Sequence, residues 1–188
     1  DLDFINNAEE ECQNISFLKI EIDGKFQNYK GELNDYFQLL DIKKKNFFTD
    51  ISNYVSYEMG QPTHCYDFNK IKGNICLEES YLSCNFNTLL DKEIKLTGKN
   101  LVFTNNKKII NLAGVIGDKT SSCSLNTNSV IVEFASFKPE TIIGKALKYG
   151  IQSDAAHKFE RGVDPDCHNE ALRRFIHIVK EHSNIKSL

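Results

Sequence analysis

A chain of 188 residues with 26 acidic and 23 basic side chains has a formal net charge of −3 at neutral pH. That balance excludes a general nucleic-acid binder, which needs a broad basic surplus, and leaves room only for a local RNA contact. No apolar run approaches the roughly 18 residues needed to span a bilayer as a helix, and no secretory signal pattern is visible, so no membrane-spanning helix is expected.

The six cysteines (Cys12, Cys65, Cys76, Cys84, Cys123, Cys167) form no C-x-x-C pair and have no histidine at zinc-ligand spacing. No structural metal is expected, and the thiols read as reduced ones in a cytosolic protein. The opening DLDF, without an initiator Met, reads as the start of a domain cut from a longer polypeptide.

In chain order, Ile15, Phe17, Ile20 and Ile22 make a strand-like run ended by Gly24. The slip at Leu18 is either a bulge or the mark of a strand buried on both sides. Leu33, Phe37 and Leu40 predict a short amphipathic helix over 32–40. Lys43, Lys44 and Lys45 follow as a basic tract, either a solvated loop or an RNA contact.

Asp50 is a good helix N-cap. Ile51, Val55 and Met59 lay an apolar stripe along the helix that follows, and Gly60 supplies the left-handed C-terminal cap. Gln61-Pro62 then forces an extended backbone, and His64 is the first titratable group presented beyond it.

Past Asp67 the chain turns β-rich. Ile75 and Leu77 alternate with Cys76 and Glu78, and Ile94 and Leu96 follow the Asp91-Lys92 turn. Strands over 101–104 and 109–116 flank a hairpin turn at Asn105-Asn106. Residues 129–135 give the strongest strand, with Val130, Val132 and Phe134 on one side and Ile131, Glu133 and Ala135 on the other.

Helices return from Pro139, with Ile142, Ile143, Ala146 and Leu147 as the buried side up to Gly150. Ser153 caps a short helix closed by Gly162, and Asp164-Pro165 opens the last one. The pattern is α+β: a central, mostly antiparallel β-sheet region with helices at both ends, in two intertwined subdomains divided near residues 67–73.

Glu133 is the anomaly. A carboxylate inside an apolar strand lies either on a solvated sheet face or buried toward a ligand. No serine or cysteine has a paired base, so no covalent intermediate is suggested. No phosphate-binding G-x-x-x-x-G-K-S/T loop is present.

Four stretches, GQPTHCYD (60–67), NLAGVIGD (111–118), VIVEFASF (130–137) and AAHKFERGVDP (155–165), resemble in the same order the motifs of the editing region of the bacterial-type phenylalanyl-tRNA synthetase beta subunit. The likeness runs from about Cys12 to about Phe175. It implies a tRNA-editing module over residues 1–188 that hydrolyses tyrosine mischarged onto the tRNA for phenylalanine.

By that resemblance Glu133 hydrogen-bonds the phenolic hydroxyl. His64 orients or deprotonates a water, with Ser52 and Asn53 lining the same site. Gly114 admits the ligand close to the backbone, Ser153 matches a motif Thr, and Ala155 leaves room for the ring. A glycine needed only for strand packing is the other reading of Gly114.

Lys148, Lys158 and Arg161 are candidate contacts to the tRNA 3′ end, or simply a solvated helix surface, and Arg161 is expected to pair with Glu160 or Asp164. The resemblance implies no cofactor in this domain. In the full cytoplasmic enzyme it implies ATP and Mg²⁺, with a separate alpha subunit as partner. No DNA and no membrane are expected.

The chain departs from the family pattern at several places. Ser52 and Ser153 replace Thr, Cys65 replaces Ala, and Asp118 replaces the second Gly of AGVxGG. Lysines stand where an Arg and a Pro often precede the helix that leads to His64. Asp118 adds a charge near the site, and it is the feature that favours the alternative, a non-catalytic scaffold for tRNA docking or subunit assembly with decayed editing.

Overall fold

The computed structural model describes residues 2–24, 26 and 28–188. Its first half runs β1 (Phe4–Asn6), β2 (Asn14–Asp23), α1 (Gly31–Leu39), α2 (Phe47–Met59), β3 (Thr63–Asp67), β4 (Ile75–Ser80), β5 (Cys84–Asn87) and β6 (Glu93–Leu96). Then follow β7 (Asn100–Asn105), β8 (Lys108–Leu112), β9 (Ile116–Gly117), β10 (Ser129–Ser136), α3 (Pro139–Ile142), α4 (Lys145–Lys148), α5 (Asp154–Phe159), α6 (His168–His182) and β11 (Asn184–Ser187). The class is α+β, with helices gathered before and after the strand-rich middle.

Strand β10 is the axis. It pairs antiparallel with β2 on one edge and with β3 on the other, and β11 completes a four-stranded sheet in the order β11-β2-β10-β3. Because side chains alternate across a strand, its two faces serve two cores. Val130, Val132 and Phe134 pack with Ile20, Ile22, Ile51, Val55, Phe175 and Val179. Ile131 and Ala135 join Leu77, Phe103, Leu112 and Phe137 on the side of the five-stranded sheet β1-β4-β7-β8-β9. Only β1 against β4 is parallel in that sheet.

The slip at Leu18 resolves as a strand buried on both sides. The register of β2 against β10 is unbroken, Ile15 and Phe17 pack on one core, and Leu18 and Ile20 belong to the other.

Four expectations are corrected. Helix α2 begins at Phe47, capped by Asn46, whose side chain accepts from the Thr49 N–H. Asp50 is not the cap; it is fully buried and accepts from the Tyr29 hydroxyl and the Lys45 N–H. The hairpin turn sits one residue later, at Asn106 (φ 50°) and Lys107 (φ 64°), while Asn105 pairs with Lys108 and ties down the carbonyls of Lys72 and Asn74. Helix formation after Pro139 breaks at Gly144 (φ 76°), which leaves Ile143 and Leu147 exposed rather than buried. The last helix opens at His168, and β11 follows it.

Candidate functional site

Gly60 (φ 73°) ends α2 with its N–H bonded to the Ser56 carbonyl, and Gln61-Pro62 carries the chain into β3. His64 is therefore fixed on a strand rather than in a loop. Its direct partner across the β3–β10 ladder is Glu133. Opposed residues of an antiparallel pair share a face and lie about 5 Å apart at Cβ, so the imidazole and the carboxyl sit side by side. Both face a cavity of about 670 Å³ between the four-stranded sheet, the β8–β9 turn, α2 and the start of α5.

The cavity wall includes Ser52, Asn53, His64, Gly114, Glu133, Ser153 and Ala155. The hydroxyls among them are already engaged. Ser52 Oγ donates to the Thr63 carbonyl at 2.9 Å and lies 2.7 Å from the Thr63 hydroxyl, tying α2 to the strand that carries His64. Ser153 Oγ donates to the Val115 carbonyl at 2.6 Å and accepts from the Ala156 N–H as the cap of α5. These two serines position elements. Asn53 is exposed at the outer end.

Gly114 adopts φ +69°, and a Cβ there would come within 2.8 Å of Ile142 Cδ1 and 3.1 Å of Phe137. Packing behind the turn thus requires a glycine, while its front borders the cavity.

Glu133 is 4% exposed and accepts from the Tyr66 hydroxyl at 2.7 Å. Burial pushes its carboxyl up to about 8, against the Tyr66 bond, which lowers it. It is neutral at pH 7. Burial likewise pushes His64 down to about 4, with Asp118 pulling slightly upward, so the imidazole is neutral as well. Its Nε2 is buried without a hydrogen-bond partner among the described residues.

Asp118 does not intrude. Burial alone would raise its carboxyl, yet hydrogen bonds from Ser121, Thr120 and Lys108 hold it below the usual range and close its own loop. Cys65 points into the opposite core beside the Phe48 carbonyl.

The basic candidates separate. Lys158 lines the cavity, with Nζ 2.8 Å from the Ser56 carbonyl and 2.7 Å from its hydroxyl. Lys148 instead donates to the Thr97 carbonyl, and Arg161 donates to the His157 carbonyl at 2.8 Å, not to Glu160 or Asp164. Neither reaches the cavity. Lys43 and Lys45 stand at its rim, whereas Lys44 turns away over the Tyr29 ring.

Asn111 and Gly117 on the cavity wall, and the fully buried Tyr66, escaped the sequence reading. Tyr66 follows His64 by two positions, so strand alternation alone puts it on the same face. Asn111 is a polar residue inside an apolar strand, the same signal that marked Glu133. Gly117 abuts His64: a Cβ there would lie 2.3 Å from Cε1 and 2.6 Å from Nε2. Among the described residues no three His, Cys, Asp or Glu side chains are grouped to hold a metal ion, and no helix is long and apolar enough to cross a membrane.

A family model described as the B3/4 domain matches residues 20–184. The phenylalanine–tRNA ligase beta subunit of Francisella tularensis subsp. tularensis is 40% identical over 138 residues, covering 72% of this chain and 17% of the relative. That of Idiomarina loihiensis is 38% identical over 126 residues, covering 66% and 16%. The chain thus spans less than a fifth of the length of these curated relatives.

Among solved structures, an N-terminal fragment of the phenylalanyl-tRNA synthetase beta subunit from Pyrococcus horikoshii is similar in fold. Its TM-score is 0.56 at 11% identity, covering 97% of this chain and 49% of that one. With the family model matching residues 20–184 and relatives of one description at 38% and 40% identity, the chain belongs to the B3/4 domain family as found in phenylalanine–tRNA ligase beta subunits.

Proposed function

We propose that this module proofreads for a phenylalanyl-tRNA synthetase, hydrolysing the ester that joins tyrosine to the tRNA for phenylalanine. The observation that carries this reading is the pairing of Glu133 with His64 across two strands in one cavity. An apolar synthetic pocket rejects an added hydroxyl by only about 100-fold, whereas a site that must hydrogen-bond that hydroxyl rejects the analogue lacking it by on the order of 10⁴ to 10⁵. Glu133, neutral at pH 7, can both donate to and accept from a phenol. Phenylalanine would leave the carboxyl oxygen that Tyr66 does not hold without a partner.

The reaction is attack of water on the ester carbonyl. The bond to the ribose oxygen breaks, that oxygen takes up a proton, and free tyrosine and uncharged tRNA leave. An imidazole held near pKa 4 is a weak base at neutral pH, so His64 serves by accepting a hydrogen bond from the water and aiming it, rather than by removing its proton outright.

Lys43, Lys45 and Lys158 give the cavity mouth a positive edge, and the exposed Tyr57 ring lies 5.0 Å from that of Tyr36. Cations beside stacking rings suit the single-stranded 3′ end of a tRNA. In the full-length protein, ATP and Mg²⁺ would serve the charging reaction in the alpha subunit, apart from this module.

The test is deacylation of Tyr-tRNA against Phe-tRNA by the full-length protein. Tyr-tRNA is expected to be cleaved selectively, and His64→Ala is expected to lower kcat by roughly 10²-fold or more with little change in KM. Equal treatment of both substrates would leave the scaffold reading in its place.

A further inference from the structure

Tyr66 touches both halves of the site. Its hydroxyl donates to Glu133 Oε2 at 2.7 Å, and Asn111 Nδ2 donates back to the same hydroxyl oxygen at 2.9 Å. The Tyr66 ring meets the His64 ring edge-on, with centroids 4.4 Å apart and planes at 74°. Tyr66, Asn111 and Glu133 are 0%, 3% and 4% exposed, so no solvent competes for these bonds.

Direction follows from the donor inventory. The Asn111 amide N–H can only donate, so the phenol's one proton must go to the carboxyl. A chain of donors in a dry site orients its last member. With Oε2 held by Tyr66, the other carboxyl oxygen of Glu133 is the one left to meet a ligand.

We infer that Tyr66 and Asn111 are the positioning residues of this site, with Tyr66 an internal phenol that fixes the carboxyl of Glu133 for recognition of a ligand phenol. The inference rests on the proofreading reading and deepens it. The Tyr66 ring braces the imidazole, and its hydroxyl braces the acid. Removing the hydroxyl alone therefore acts on recognition more than on the water.

The experiment compares the wild type with Tyr66→Phe, Tyr66→Leu, Asn111→Ala and the double variant Tyr66→Phe/Asn111→Ala, all in the full-length protein. It measures KM and kcat for Tyr-tRNA deacylation, with the preference for free tyrosine over phenylalanine read by calorimetry. Tyr66→Phe is expected to raise KM and to cut the tyrosine preference, each roughly tenfold, with a smaller change in kcat. Tyr66→Leu, which loses the ring contact as well, is expected to lower kcat too. Asn111→Ala should show a weaker form of the Phe variant's effect and add nothing in its background, because the two act through one bond.

A tyrosine preference in Tyr66→Phe equal to the wild type's, or full additivity in the double variant, would overturn the inference and leave the proofreading reading standing. A wild type with no preference between the amino acids would overturn both.

Discussion

A carboxyl group on the inward face of a central strand, 4% exposed, has lost most of its hydration, and the charged form suffers most from that loss. The consequence can be measured without any substrate. The unfolded chain releases the Glu133 proton near the ordinary 4.5, whereas the folded chain holds it until about 8, so between those values rising pH favours unfolding and stability falls. His64 has the opposite window: the unfolded chain takes up a proton below 6.5 and the folded one only near 4, so stability is lost as pH falls through that range. The two slopes offset one another between roughly pH 4.5 and 6.5. From pH 6.5 to 8 the slope from Glu133 stands alone of the two and removes at most about 2 kcal/mol. Glu133→Gln keeps the acceptor for Tyr66 and abolishes the titration. Urea unfolding at both pH values is expected to show the wild type losing more stability than this variant, and equal losses would show that the acid ionises in the folded state in its ordinary range. Period-two alternation sufficed to put Glu133 on a distinct face, but which face was dry depended on the five-stranded sheet opposite, which only long-range pairing supplies.

At the scale of elements, the site is a set of mounts. The capped end of α2 aims β3, the β3–β10 register sets His64 against Glu133, and the Ser52–Thr63 bond clamps helix to strand. The sequence made the stop at Gly60 readable because a left-handed cap needs glycine. It misplaced the start because Asp50 and Asn46 are both good caps and only the buried Tyr29 hydroxyl decides between them. Ile143 and Leu147 were misassigned for a similar reason: a helical period continues on paper through Gly144, while the chain takes a left-handed turn there. The mount for the imidazole is Gly117, whose backbone is ordinary but whose missing Cβ makes the space for the ring. Gly117→Ala is therefore expected to move His64 rather than to unfold the protein. A displacement of that order costs on the order of 10² in rate. Single-turnover deacylation beside a thermal melt would check this, and a wild-type rate with an unchanged melt would mean that His64 does not depend on that contact.

On the scale of the whole molecule, a net charge of −3 gives tRNA no general attraction, so the proposed tRNA contact depends on where the few useful cations are placed. The basic tract at 43–45 splits by geometry: Lys44 folds back over Tyr29, while Lys43 and Lys45 reach the cavity rim beside Lys158. Composition could show the tract but not this division, which depends on how the loop between α1 and α2 is held by the Lys45 N–H bonds to Asp50. Lys148 and Arg161, equally basic on paper, bond backbone carbonyls away from the cavity. If the rim lysines meet phosphates of the single-stranded 3′ end, each contact adds roughly 0.7 to the slope of log KM for Tyr-tRNA against log salt. Lys43→Gln with Lys45→Gln is then expected to raise KM at low salt and to reduce that slope by about 1.4. Lys148→Gln with Arg161→Gln is expected to leave the slope where it was. Measuring deacylation from low to moderate salt separates the two pairs, and an unchanged slope in the rim variant would move the tRNA's path to another face of the molecule.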